Sequence, residues 1–180
     1  MPIPLGSLSE YLSLGEGNTP VVSMPKISSM FETEIYGKLE FMNPTGSFKD
    51  RGTAMMISAL KSKGVSEIVE DSSGNAGASV SAYATRAGMK AHIFAPLSAP
   101  QTKLNQIKVY GSILHAVDGS RDETTEAAEK FVKHKSIVYA SHNLSPFFIE
   151  GTKTFGYEIF NDFDREIPGN IVVPVGNGSL

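Results

Sequence analysis

The feature that most constrains the fold is an alternation of short apolar runs and helix-length stretches from Ser47 to Ala140. Glu67 to Glu70, Ala91 to Ala95, Ile113 to Val117 and Ile137 to Ala140 read as strands. Ahead of the first, Phe48, Gly52, Met55, Met56, Ala59 and Leu60 fall on one helical stripe that Gly64 closes. A second helix runs from Asn75 to Ala87 and stops at Gly88; its residues are mostly small, which allows close packing on both sides. Ser98 and Gln101 have the spacing of a capping box, with Pro100 tolerated in the first turn. That helix holds Leu104, Ile107 and Lys108, and Gly111 ends it. Ser120 and Glu123 repeat the box, and Thr124, Ala127, Ala128, Phe131 and Val132 form the buried face of the helix that follows. Four strands joined by three helices require parallel crossovers, so the fold class is α/β, an open parallel sheet with flanking helices.

The flanks are less regular. Glu34 to Phe41 reads as the best strand of the first segment, with Gly37 marking a bulge. After Pro146 one long helix is expected, with Ile149, Thr152, Gly156, Ile159, Phe160 and Phe163 on one side. Ile171 to Val175 reads as an apolar strand covered on both faces. Gly176-Asn177-Gly178-Ser179 follows, and the sequence stops at Leu180. Such a loop normally leads into a covering helix, so the chain is expected to be a fragment or a truncated reading frame.

Composition narrows the function classes. The net charge of -3 gives no electrostatic case for nucleic acid as a partner. With 0 cysteines, disulfides, thiolate metal sites and a thiol nucleophile are excluded. Met1 to Glu10 lacks the basic start and apolar stretch of a signal peptide, and no run reaches membrane-span length. A cytoplasmic protein with no membrane partner is the expectation. His92, His115, His134 and His142 show no metal-ligand spacing, so no metal is expected, and His92 and His115 read as structural. No dinucleotide fingerprint, Walker loop or serine elbow is present.

Three polar, glycine-bearing loops remain, each where a strand meets a helix. Asn43-Pro44-Thr45-Gly46-Ser47-Phe48-Lys49-Asp50-Arg51-Gly52 puts Lys49 in the first turn of a helix, where the positive end of the dipole disfavours an ammonium. That helps keep the amine a neutral nucleophile. The bland alternative is a surface lysine beside Asp50 and Arg51, two residues that read as orienting local structure. Asp71-Ser72-Ser73-Gly74-Asn75-Ala76-Gly77 gathers hydroxyls and backbone N–H groups at a helix start, a site for a carboxylate or phosphate or an ordinary serine cap. Gly176 to Ser179 offers a backbone cradle for phosphate or a plain turn.

Taken together and in this order, the loops resemble the fold-type-II pyridoxal-phosphate enzymes, the tryptophan synthase β-like superfamily. Ser47 to Arg51 resembles the lysine motif, Ser73 to Asn75 the substrate loop, and Gly176 to Ser179 the phosphate loop. Within the superfamily the threonine synthases are most similar. Leu14-Gly15-Glu16-Gly17-Asn18-Thr19-Pro20 resembles their opening motif, and Glu150-Gly151-Thr152-Lys153-Thr154 with Tyr157-Glu158-Ile159 their later helix. Ser179 stands where a further glycine is usual.

The resemblance implies a two-lobed fold whose larger lobe is incomplete here: residues 1–45 in the large lobe, 46–142 the small α/β lobe, 143–180 the return toward the large one. It implies pyridoxal 5'-phosphate as cofactor and Lys49 as both its covalent anchor and the catalytic acid–base. It implies cofactor contacts from Asn75, Gly176, Asn177, Gly178 and Ser179, and carboxylate contacts from Ser72, Ser73, Gly74 and Ala76. The implied activity is a lyase converting O-phosphohomoserine and water to threonine and phosphate. Two alternatives stand beside it: a serine/threonine dehydratase-like lyase, and a truncated non-catalytic fragment. The partner is a small amino-acid substrate; relatives are commonly dimers, which makes a homodimer compatible.

Overall fold

A computed structural model describes residues 11–176 and 178. The chain opens with a small antiparallel ribbon, β1 (Val21–Ser23) and β2 (Tyr36–Lys38), around the short helix α1 (Pro25–Phe31). The expected strand of residues 34–41 is thus shorter than its apolar pattern suggests. Gly37 pairs in regular register with Val22 and makes no bulge. Glu40–Met42 turns into a 3-10 helix instead. The cause is polar: Glu40 is drawn inward to Arg51 and Asn43, which leaves Phe41 on the surface.

The α/β unit follows the expected alternation. Its elements are α2 (Lys49–Ser62), β3 (Glu67–Glu70), α3 (Asn75–Ala87), β4 (Lys90–Pro96), α4 (Gln101–Val109), β5 (Ile113–Val117), α5 (Arg121–Lys135) and β6 (Val138–Tyr139). The four strands are parallel in the order β5-β4-β3-β6. Strand alternation sends Ile68, Ala91 and Ile93 to one face, with Val80, Tyr83 and Ala84 of α3 and Ile57 of α2. Val69 and Phe94 go to the other, under Ala128 and Phe131 of α5. A sheet covered on both sides explains why β3 and β4 are nearly continuous in apolar residues.

Helix ends follow the capping signals read from the sequence with one exception. Ser120 and Glu123 form the reciprocal capping box at α5. Gly64, Gly88 and Gly111 all lie in the left-handed region, where a side chain would be strained. The exception is α4, whose N-cap is Pro100 and carries no side-chain cap. Ser98 sits too far back, in a turn closed by Ala99 N–H to the Pro96 carbonyl at 3.0 Å.

Two C-terminal expectations are corrected. The single long helix after Pro146 is two, α6 (Pro146–Thr152) and α7 (Thr154–Asp162), meeting at Lys153. The break follows from packing. α6 buries Phe148, Gly151 and Thr152 against α2, whereas Ile149, Gly156 and Phe160 of the expected stripe are exposed. A Cβ at Gly151 would collide with the Arg51 carbonyl, and one at Gly52 would lie 2.7 Å from the Phe148 ring, so two glycines permit this crossing. Residues 171–175 form no strand; Val172 is 95% exposed. A strand exists by pairing with a neighbour, and none of the described residues pairs with this segment.

Among the described residues no helix is long and apolar enough to cross a membrane.

Candidate active site

Lys49 is the first residue of α2, and the loop before it is fixed by its own successor. Asp50 is buried and accepts from the Thr45 amide at 2.7 Å and the Thr45 hydroxyl at 2.6 Å. The same carboxylate accepts from Ser79 Oγ at 2.6 Å, which ties the start of α2 to α3 one turn beyond Asn75. Burial pushes the Asp50 carboxyl up, against these hydrogen bonds. Gln106 of α4 donates to the Thr45 carbonyl at 3.1 Å. The lysine loop and the Ser72–Asn75 loop are therefore held at the same end of the sheet.

Arg51 anchors the other side. Its guanidinium meets Glu40 at 2.7 Å and Glu158 at 2.6 Å, and its side chain is almost wholly buried. It also donates to Thr19 Oγ1 and Thr154 Oγ1. Burial works against the Glu158 carboxylate, but Arg51, the Asn18 amide and Lys38 outweigh it and hold the group down at about 2. Arg51 is thus committed to carboxylates, and both it and Asp50 are structural, as their place in the sequence suggested. The Gly17–Thr19 segment joins this network: Gly17 N–H donates to Asn43 Oδ1 at 2.9 Å and Asn18 N–H to Glu158 Oε1 at 2.7 Å.

The Lys49 amine is half-buried. Its Nζ lies 4.6 Å from the centre of the Phe48 ring and 5.5 Å from that of Phe148. Burial lowers its proton affinity, and the charge of Glu70 opposes that. Phe48, expected as core, is only partly buried and forms one wall around the amine.

The second loop leaves the carboxyl end of β3. Gly74 is the N-cap of α3 and supplies no side-chain cap. A Cβ at Gly77 would collide with the Ser72 carbonyl, so glycine there lets the loop fold back over the helix. Ser72, Ser73 and Gly74 are half-buried, Ala76 is buried, and Asn75 is exposed. Cations meet this loop from both flanks. Lys103 of α4 donates to Asn75 Oδ1 at 2.6 Å, and Arg121 of α5 pairs with Asp71 at 2.8 Å.

Of the third loop, Gly176 and Gly178 are exposed, with open space where a Cβ would stand, while Asn177 and Ser179 lie outside the described residues. Lys49 and Ser72 to Ala76 share one end of the sheet; no backbone hydrogen bond joins Gly176 or Gly178 to them among the described residues.

Sequence reading passes over one pair. Glu70 is fully buried, and its carboxylate meets His142 Nδ1 at 2.6 Å and the His142 amide at 3.2 Å. His142 in turn sets its ring edge against Phe148. The available signal was an acidic residue closing an apolar strand, which demands a partner. Nothing local in the sequence identifies that partner 72 positions away.

The sequence of residues 12–180 matches the family described as pyridoxal-phosphate dependent enzyme. Threonine synthase of Bacillus sp. (strain ULM1) is 36% identical over 97% of this chain and 49% of its own length. That of Methanocaldococcus jannaschii is 34% identical over 97% of this chain and 44% of its own. The chain thus spans about half the length of the curated relatives it matches. Among solved structures, maize serine racemase superposes with a TM-score of 0.77 at 29% identity, over 82% of this chain and 45% of that one. The processed form of threonine deaminase isoform 2 from Solanum lycopersicum gives 0.75 at 26%, over 79% and 40%. The α/β architecture is the one these tryptophan synthase β-like enzymes share.

Proposed function

The chain belongs to the pyridoxal-phosphate dependent enzyme family, and from that premise we propose that Lys49 is the covalent anchor of the cofactor in a lyase acting on a small amino acid. The observation that carries this reading is the setting of the amine. It sits at the amino end of α2, between two phenyl rings, with its proton affinity lowered by burial. An amine so placed is available as a nucleophile at lower pH than one in water.

The surroundings fit the group. Two aromatic walls suit a planar pyridine ring. Ser47 Oγ, two residues away, is buried and finds no partner among the described residues, a polar atom to which a ligand would give one. The uncapped start of α3 directs N–H groups at an anion. When bound, pyridoxal 5'-phosphate supplies the electron sink that lets the substrate α-carbon lose a proton.

The chain's own residues do the rest in this reading. Lys49 takes and returns the proton at that carbon. Ser72, Ser73, Gly74 and Ala76 orient the substrate carboxylate through hydroxyls and backbone N–H groups. Asn75, whose side-chain oxygen accepts from Lys103, would offer its side-chain N–H to the cofactor's ring oxygen. Gly176, Asn177, Gly178 and Ser179 surround the cofactor phosphate. The lobes divide at residues 1–45, 46–142 and 143–180, in a protein that acts in the cytoplasm as a homodimer.

For the finer activity we propose a threonine synthase, water and O-phosphohomoserine giving threonine and phosphate, supported by similarity along nearly all of the chain. A second reading, a dehydratase-like lyase, is favoured by one observation. Phe48 and Phe148 border the amine and the charge of Glu70 acts on it, and neither rings nor an anion attract a phosphorylated side chain. Assaying inorganic phosphate from O-phosphohomoserine against 2-oxobutyrate from threonine decides between them. Phosphate release confirms the first; 2-oxobutyrate alone moves the assignment to the second. Neither product, with cofactor attached, identifies a non-catalytic fragment.

A further inference from the structure

The buried group that the proposed chemistry leaves unused is Glu70. It ends β3 with a side chain 0% exposed, and both its oxygens are engaged by His142. The Phe148 ring links the pair to the lysine: the His142 ring meets it edge-on at 5.7 Å between centres, and the Lys49 amine lies 5.5 Å from its centre. Phe148 is itself immobilised, fully buried against Gly52 one turn along α2 from Lys49.

We propose that Glu70, held by His142, is a positioning residue for the Lys49 amine, acting across the Phe148 ring that His142 and the amine both flank. The inference deepens the reading of Lys49 as cofactor anchor and rests on it.

Electrostatics agree with the geometry. Burial disfavours the Lys49 ammonium, and the charge of Glu70 favours it. Glu70 needs its partner in turn. Burial pushes its carboxyl up, and the hydrogen bond from His142 is the main opposing influence. A buried carboxylate without that bond takes up a proton and loses its charge. The ionisable groups around Glu70 come from every packed element: Lys49 from α2, Tyr139 from β6, His142 just after it, and Asp71 at the strand end with Arg121 from α5. α6 contributes Phe148 there, its Glu150 being paired with Lys153.

The test needs no cofactor. The full chain is labelled with limiting acetic anhydride across a pH series, and acetylation of Lys49 is read by peptide mass spectrometry. Glu70→Gln is expected to move the midpoint for Lys49 to lower pH by on the order of one unit. Glu70→Asp, which keeps the charge, should restore the wild-type midpoint. His142→Leu, which removes the side-chain donor, should shift it in the same direction as Glu70→Gln, because Glu70 then takes up a proton; it also serves if Glu70→Gln does not fold. Circular dichroism confirms folding of each variant. An unchanged midpoint in a folded Glu70→Gln or His142→Leu overturns the proposal. Cofactor trapping is scored separately, so failure of Lys49 as anchor is distinguished from failure of Glu70 as its regulator.

Discussion

At the scale of single residues, the candidate site is held in shape by side chains paired with one another. Arg51 is the clearest case: a buried guanidinium held by two carboxylates beside the lysine. Arg51→Ala leaves Glu40 without its cation and Glu158 with Lys38 alone, and is expected to cost about 3–5 kcal/mol, read from urea unfolding. The acid limb of stability tests the same pair. The Glu158 carboxyl falls from 4.5 to about 2 in the fold, so its contribution is complete above 4.5 and is lost as pH drops toward 2. That loss should be smaller in Arg51→Ala. The place of Lys49 at the opening of a helix was legible in the sequence, whereas its proposed role came from the resemblance and not from the lysine alone. Glu70 with His142 was not, since the pair meets only through the sheet.

At the scale of elements, periodicity and caps located nearly every segment of the α/β unit. Glu67–Glu70, Asn75–Ala87 and Ile113–Val117 begin and end where side-chain pattern and glycine punctuation place them. The failures share a cause. The 34–41 strand, the long helix after Pro146 and the 171–175 strand were read from apolar pattern alone, and each is decided by a tertiary partner. Glu40 is drawn away by Arg51, α6 turns to cross α2 at paired glycines, and residues 171–175 find no neighbouring strand among the described residues. Gly77 illustrates the reverse, a single residue on which an element boundary rests. Gly77→Ala drives a methyl into the Ser72 carbonyl and is expected to cost about 1–3 kcal/mol and to weaken anion binding at the loop, measured by calorimetry.

The face of the sheet under α5 makes a separate prediction. His92 Nδ1 and His115 Nε2 share a hydrogen bond there at 2.8 Å, with Glu67 on the other side of His92. Burial, and then His92, lowers the proton affinity of His115 below its ordinary 6.5. The fold therefore binds fewer protons here than the unfolded chain does. Stability from this group is complete above 6.5 and falls as pH drops through the folded value. Thermal melting should show that decline, and His115→Gln should flatten it.

At the scale of the whole molecule, apolar surface is concentrated outside the α/β unit. Phe41, Met42, Ile171, Val172 and Val175 are all exposed, and such residues drive association when they gather. Sedimentation is expected to depend on concentration, and Val172→Glu to reduce that dependence. The division into lobes rests on family resemblance; the four-stranded sheet with its covered faces is what the alternation in sequence made legible. The account's central claim is the covalent one. Borohydride reduction of the protein after addition of pyridoxal 5'-phosphate, followed by peptide mapping, tests it most directly. A stable adduct on the Lys49 peptide, absent in Lys49→Ala, is the predicted result; an adduct spread over exposed lysines and unchanged in Lys49→Ala would contradict it.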